Sequence, residues 1–309
     1  MITTVTLNAS IDKAYFMEKT IKNGTVMRVA SVRNSAGGKG LNVARTAKLC
    51  GAKVQATGFA GGYNGKYLQH LLHEDQIPHD FVEVDGETRS CINILDPGYH
   101  STEYLEPGFE LTPEDEQKFM DRFPEIIKDS TVVTISGSLP KGIQKDIYAR
   151  MIQTAKESGK MVLLDSSGES LKHGLKALPT LVKPNQEELG ALLGVEINTI
   201  QDVITYGRKL YETGIPYVVV SLGKDGALMI CKEGIFHGCP PKVEAINPVG
   251  CGDSLLGAFA VALEQLQAPT EALRYAVSVA TAKALSPNTG TFDPGQQKLL
   301  LEQITISRF

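Results

Sequence analysis

The sequence lacks any apolar run long enough to cross a membrane. Such a helix needs roughly 18 residues, and the longest run, Leu255–Leu263, is about half that. It lacks a basic leader as well: Met1-Ile2-Thr3-Thr4-Val5-Thr6-Leu7 reads as a first strand and not as a signal peptide. A basic excess is also missing, since 31 Lys+Arg stand against 35 Asp+Glu for a net charge of −4. That balance excludes a nucleic-acid-binding surface, and any anionic ligand must meet cations gathered locally. The five cysteines (Cys50, Cys91, Cys231, Cys239 and Cys251) form no C-x-x-C pair. An odd count without such a pair fits a reducing, cytoplasmic setting and neither a disulfide framework nor a zinc knuckle. His70 and His73 lie three apart on an expected helix, but with no further ligand in reach they read as surface residues. Low-complexity tracts, internal repeats and Pro/Gly/Ser linkers are absent too, so two independent domains are not expected.

What is present is an ordinary globular composition, 42% hydrophobic and 21% charged over 309 residues. Length and composition suit one large α/β domain, or one with a small appendage. Ile2–Leu7, Val54–Phe59, Val132–Ser136, Met161–Asp165, Thr180–Val182 and Tyr217–Ser221 are short apolar runs, mostly without polar alternation, as in strands buried on both faces. Helical patterns separate them, among them Gly65–Asp75, Gln144–Ser158 and Thr199–Thr213. Thr112-Pro113-Glu114-Asp115 marks a helix start, with Pro first and an acid three residues after the cap. This alternation predicts a doubly wound, mostly parallel sheet flanked by helices. Two stretches break the rhythm. Val26–Val32 and Cys91–Leu95 are followed by turns, the second passing through Asp96-Pro97-Gly98 into Ser101–Leu105 as a hairpin. They predict a small discontinuous β-sheet lid, residues 11–34 and 88–107, on a core made of 1–10, 35–87 and 108–309.

Four segments carry candidate chemistry. In Ser35-Ala36-Gly37-Gly38-Lys39-Gly40-Leu41-Asn42 three glycines precede an apolar-periodic helix, exposing free N–H groups that attract anions. It is not a Walker A loop, because Arg33 and Gly40 stand where that motif needs Gly and Ser/Thr; a tight strand-to-helix turn is the alternative. Gly250-Cys251-Gly252-Asp253, before the helix Leu255–Leu266, is a second bare helix start. Asp253 is either a capping acid or a general base beside an anion hole, kept ionised by the helix dipole. Lys183-Pro184-Asn185-Gln186-Glu187-Glu188 follows a strand end, where open α/β sheets bind ligands. Asn185 and Glu188, three apart, can face one way and hold hydrated magnesium, although Asn-x-x-Glu also makes an ordinary helix start. Ser221-Leu222-Gly223-Lys224-Asp225-Gly226 is the fourth such loop. Together they suggest a phosphate-rich ligand.

These segments, with Thr6-Leu7-Asn8-Ala9-Ser10-Ile11-Asp12 and Ser136-Gly137-Ser138-Leu139-Pro140, resemble the ribokinase-like (PfkB) carbohydrate kinases over essentially the whole chain. Within that family the resemblance is greatest to tagatose-6-phosphate kinases and 1-phosphofructokinases. It implies a ribokinase-like core with a β lid that often forms a homodimer interface, ATP with Mg²⁺ as donor, and a ketohexose monophosphate as acceptor. Asp12, Gly38, Asn42 and Ser138 are then expected at the sugar, with Arg28, Lys39 and Arg89 at its phosphate. Lys183, Asn185 and Glu188 are expected at ATP phosphates and magnesium, and Ser221, Gly223 and Gly226 near the nucleotide. Gly250, Cys251 and Gly252 are expected to form the anion hole, with Asp253 as the base. The family usually has Pro at Ala9, Thr at Pro248, and Ala or Ser at Cys251. A thiol at that helix start predicts a depressed pKa and sensitivity to alkylation. A silent sugar-phosphate sensor and a kinase for another sugar or a nucleoside are the competing readings. A Rossmann dehydrogenase is disfavoured by the missing G-x-G-x-x-G after the first strand.

Overall fold

Val218-Val219-Val220 illustrates why the central strands are unbroken apolar runs. Val218 and Val220 pack with Ile135, Leu164 and Val182 in one core, while Val219 packs with Leu163 and Leu181 in another. Successive strand side chains point to opposite faces, and here both faces are covered. The structure, a computed structural model, describes residues 1–97 and 101–309.

Among the described residues the main sheet has ten strands. Labelled in chain order, seven run parallel: β1 (Ile2–Thr6), β4 (Val54–Ala60), β5 (His79–Glu83), β8 (Val132–Ser136), β9 (Met161–Asp165), β10 (Leu181–Val182) and β11 (Tyr217–Ser221). Three more, β12 (Ala227–Cys231), β13 (Gly234–Cys239) and β14 (Thr305–Arg308), extend one edge antiparallel. The spatial order is β14-β13-β12-β11-β10-β9-β8-β1-β4-β5. The winding direction therefore reverses between β1 and β8, and a ligand crevice is expected beyond the carboxyl ends of those strands.

The sheet lies between helices. On one face are α1 (Lys39–Leu49), α8 (Cys251–Glu264) and α9 (Pro269–Ala284); on the other are α3 (Pro113–Ile126), α4 (Ile147–Glu157) and α7 (Ile200–Tyr211). The remaining helices are α2 (Gly62–Glu74), α5 (Gly168–Leu175), α6 (Gln186–Leu193) and α10 (Pro294–Leu301). The expected start at Thr112 is a full capping box with Asp115 and Pro113 in the first turn. Worth about 1 kcal/mol, such a cap fixes where the helix begins.

A second sheet of four strands, ordered β3-β2-β6-β7, forms the lid: β2 (Ser10–Phe16), β3 (Ser31–Gly37), β6 (Arg89–Leu95) and β7 (Ser101–Leu105). The expected strand at Val26–Val32 is corrected. β2 ends at Phe16 opposite Ser31, and the Ala30 amide closes the ladder on the Phe16 carbonyl, so earlier residues have no strand to bond. The strand instead continues to Gly37 and passes through Gly38 directly into α1. In the expected hairpin turn, Gly98 lies outside the described residues. No described helix is long and apolar enough to cross a membrane.

Candidate active site

A cleft of about 1610 Å³ lies between the lid and the carboxyl ends of the parallel strands. Its core side is built at element ends. Asp165 closes β9, Lys183 follows β10, Ser221 closes β11, and α1 and α8 begin at the cleft.

At α8, Gly250 is the N-cap with φ +83, a left-handed conformation that favours glycine. A Cβ there would also stand 2.7 Å from Thr289 Cγ2. The free N–H groups of the first turn, with the positive end of the helix dipole, favour negative charge here. Asp253, three residues on, is 7% exposed and lines the cleft. The Asn42 Nδ2 group of α1 donates to its Oδ2 at 2.8 Å. Arg45, one turn further along α1, donates from Nη1 to Asn42 Oδ1 at 3.3 Å and from Nε to Asp75 Oδ2 at 2.7 Å. Because a guanidinium only donates, it fixes the Asn42 amide with its NH₂ toward Asp253.

At Asp253 burial works against the expected effect of the helix dipole. Burial pushes its pKa up to about 6, aided by Asp165 and opposed by Asn42, Lys39 and Lys183. Desolvation outweighs the dipole because the carboxyl has lost most of its water. A carboxylate of that basicity is still ionised at neutral pH and is better matched to accepting a proton than an ordinary aspartate.

Asp165, 1% exposed, joins two cations. Lys183 Nζ lies 3.1 Å from its Oδ2 and Lys39 Nζ 3.4 Å from its Oδ1. Burial alone would lower the Lys39 pKa, but Asp165, Asp253 and Glu188 outweigh it and hold the ammonium charged. Lys183 reaches the first turn of α8: a Cβ on Gly252 would stand 3.3 Å from its Nζ. The opposite end of the Asn185–Glu188 segment departs from expectation. The two side chains cap each other's backbone at the start of α6, Asn185 Oδ1 accepting from the Glu188 amide at 2.7 Å and Glu188 Oε2 accepting from the Asn185 amide at 2.9 Å. This is the ordinary helix start that the spacing also allowed. Glu188 Oε1, 3.9 Å from Lys39 Nζ, is left outside the cap, and it and the Asp165 carboxylate line the cleft as candidate oxygens for magnesium, an ion that usually takes one or two carboxylates and completes its shell with phosphates and water.

On the lid side Asp12, Arg33 and Arg89 line the cleft. Burial raises the Asp12 pKa, against a 2.7 Å hydrogen bond from Ser10 and the charges of Arg45 and Arg89. Arg89 donates from Nε and Nη2 to the Asn8 carbonyl at 3.3 and 3.0 Å, and from Nη1 to the Glu106 carbonyl at 3.2 Å. It thus ties together two of the chain segments that join lid to core. Gly38, Lys39 and Asn42 complete this pole; Ser221, Gly223 and Gly226 line the far end. Arg28 and Ser138 do not join them. Arg28 is exposed in the segment between β2 and β3, and Ser138 is exposed while accepting from Asn8 Nδ2 at 3.3 Å.

Cys251 lines the cleft at the first turn of α8, but its expected low pKa is corrected. Burial pushes the thiol up, with Asp253 adding to the rise and Lys283 only partly opposing it. The site also holds residues that sequence reading passed over. Asp165 was legible as an acid ending an apolar strand at the ligand end of a sheet. Arg45 was legible as a charge on an otherwise apolar helix face. Arg33 carried no such signal.

The chain matches the model of the pfkB family of carbohydrate kinases over residues 5–295. It belongs to that family. Escherichia coli phosphofructokinase-2, in a structure described as its complex with potassium, is 31% identical with a TM-score of 0.92, covering 97% of this chain and 98% of that one. A Thermotoga maritima protein described as "Possible 1-phosphofructokinase" is 28% identical, TM-score 0.91, covering 100% and 99%. Arabidopsis thaliana ribokinase, 22% identical with a TM-score of 0.76 over 97% and 98%, shares the ribokinase-like fold.

Proposed function

We propose that this sugar kinase transfers the γ-phosphoryl group of ATP to a free hydroxyl of a ketohexose monophosphate, giving a 1,6-bisphosphate. The observation that carries the reading is Asp253, a cleft carboxylate with a pKa near 6 at a glycine-capped helix start. The acceptor oxygen attacks the γ-phosphorus and its proton passes to the Asp253 carboxylate. The bond to the bridging oxygen breaks, and ADP leaves with that electron pair. Gly250, Cys251 and Gly252 supply amides to the transferring group, while Lys39 and Lys183 offset its charge. Magnesium, held by Glu188 and Asp165 with the phosphates, would neutralise the donor. Asp12, Gly38 and Asn42 would take the sugar hydroxyls; Ser221, Gly223 and Gly226 would lie by the nucleotide.

An acceptor that already bears phosphate is favoured by Arg33, Lys39, Arg45 and Arg89, all lining the cleft. A neutral sugar or nucleoside would leave Arg33 and Arg89, which make no ion pair among the described residues, without an anionic partner. Fructose 1-phosphate and tagatose 6-phosphate are the acceptors proposed. The lid, which exposes Val32 and Tyr104, would be the interface for a second copy of the chain, as a homodimer. A coupled ADP-release assay over fructose 1-phosphate, tagatose 6-phosphate and fructose 6-phosphate tests the reading. Turnover with either of the first two supports it. ADP release with ribose alone, or with no sugar phosphate, overturns it.

A further inference from the structure

Lys283, in the last turn of α9, is 0% exposed. Its Nζ donates to the Asn247 carbonyl at 2.8 Å, and among the described residues it makes no ion pair. Burying an ammonium costs several kcal/mol unless it is paired, and one neutral carbonyl offsets only part of that. The position therefore calls for a reason beyond packing.

Its surroundings supply one. The loop between Ile246 and Gly250 runs into the anion hole and hangs from the end of α9. The Ile246 and Asn247 amides both donate to the Ala284 carbonyl, at 2.8 and 3.1 Å. Asn247 is the anchor of this loop. Its Nδ2 donates to the Pro287 carbonyl at 3.0 Å, and its Oδ1 accepts from the Val249 amide at 2.9 Å. The Lys283 ammonium grips the carbonyl of that same residue, three positions before the Gly250 cap. The helix that carries it walls the cleft through Ala280, Thr281 and Ala284. Burial lowers the Lys283 pKa, and Cys251 and Asp253, in the first turn of α8, oppose the fall.

We infer that Lys283 is a built-in cation behind the anion hole. It is a positioning residue that orients the Asn247–Gly250 loop and holds unscreened positive charge on the protein side of the transferring phosphoryl group. Water and salt do not reach it, so its field is not shared with solvent. The inference rests on the phosphoryl-transfer reading above.

The test uses the full-length enzyme and the wild type as its control. Lys283→Met keeps similar volume without charge. It is expected to melt at or above the wild-type temperature, and to lower kcat at least ~10-fold with acceptor KM nearly unchanged. Lys283→Ala is expected to regain part of its kcat with added ammonium or methylammonium, and none with tetramethylammonium at equal ionic strength. If Lys283→Met does not fold, Lys283→Gln decides on the same reading, because it keeps a donor to Asn247 without the charge. A folded neutral variant with wild-type kcat overturns the inference, as does an alanine variant that small cations fail to restore. A wild type that phosphorylates no sugar phosphate overturns the kinase reading itself, a distinct outcome.

Discussion

Asn42 and Asp253, 211 residues apart in sequence, meet through a 2.8 Å hydrogen bond that joins the first turns of α1 and α8. The two glycine-bearing helix starts are therefore one site. The bond stabilises the charged carboxylate and holds down a pKa that burial has raised.

That balance predicts a pH profile. The base acts when deprotonated, so kcat should rise through about pH 6 and level off above it. Asn42→Ala removes a donor to the carboxylate and so raises the pKa, moving the acidic limb toward higher pH. Initial rates across pH 5–8.5 check both.

Arg45 acts on the base only through Asn42. Arg45→Met frees the Asn42 amide to turn and should lower kcat about 10-fold, the lower part of the range for losing a positioned donor. It should shift the acidic limb in the same direction as Asn42→Ala. A fall in kcat with an unmoved limb would limit Arg45 to packing.

The raised Asp253 pKa also has a stability consequence. A carboxyl whose folded pKa lies above its unfolded value destabilises the fold fully above the folded pKa. That burden disappears as pH falls below the unfolded pKa. Asp253→Asn should therefore stabilise the protein at pH 7.5 by on the order of 1–3 kcal/mol, and the gain should vanish near pH 4. Thermal melts at the two pH values check the sign.

For Arg89→Ala the acceptor KM should rise about 10-fold or more with little change for ATP, the scale of a lost charge-assisted pair. Equal weakening of both would confine Arg89 to joining the Asn8 and Glu106 segments.

Cys251 should alkylate more slowly at pH 7 than an exposed thiol, because burial disfavours its thiolate. Cys251→Ala should keep kcat within about threefold, since the anion hole uses the backbone amide. Iodoacetamide kinetics with mass-spectrometric site assignment check the first point and steady-state rates the second.

The sheet was legible because Val132–Ser136, Met161–Asp165 and Tyr217–Ser221 are apolar on both faces, a pattern with few alternatives. The glycine-capped helix starts were legible for the same local reason. The lid strand at Ser31–Gly37 was not: it is polar, gains its bonds from β2, and contains a glycine that reads as a turn. The pKa values of Asp253 and Cys251 were illegible because the dipole is local to the helix, whereas desolvation comes from elements far away in sequence. Lys283 looks like a surface charge until α8 and α9 are packed.

The most direct test is Asp253→Asn, read as kcat beside sugar-phosphate binding by calorimetry. A loss of ~10²–10⁴ in kcat with near-normal binding is predicted for a base lost from an intact cleft. Wild-type turnover in that variant would make Asp253 a helix-capping acid and contradict the account.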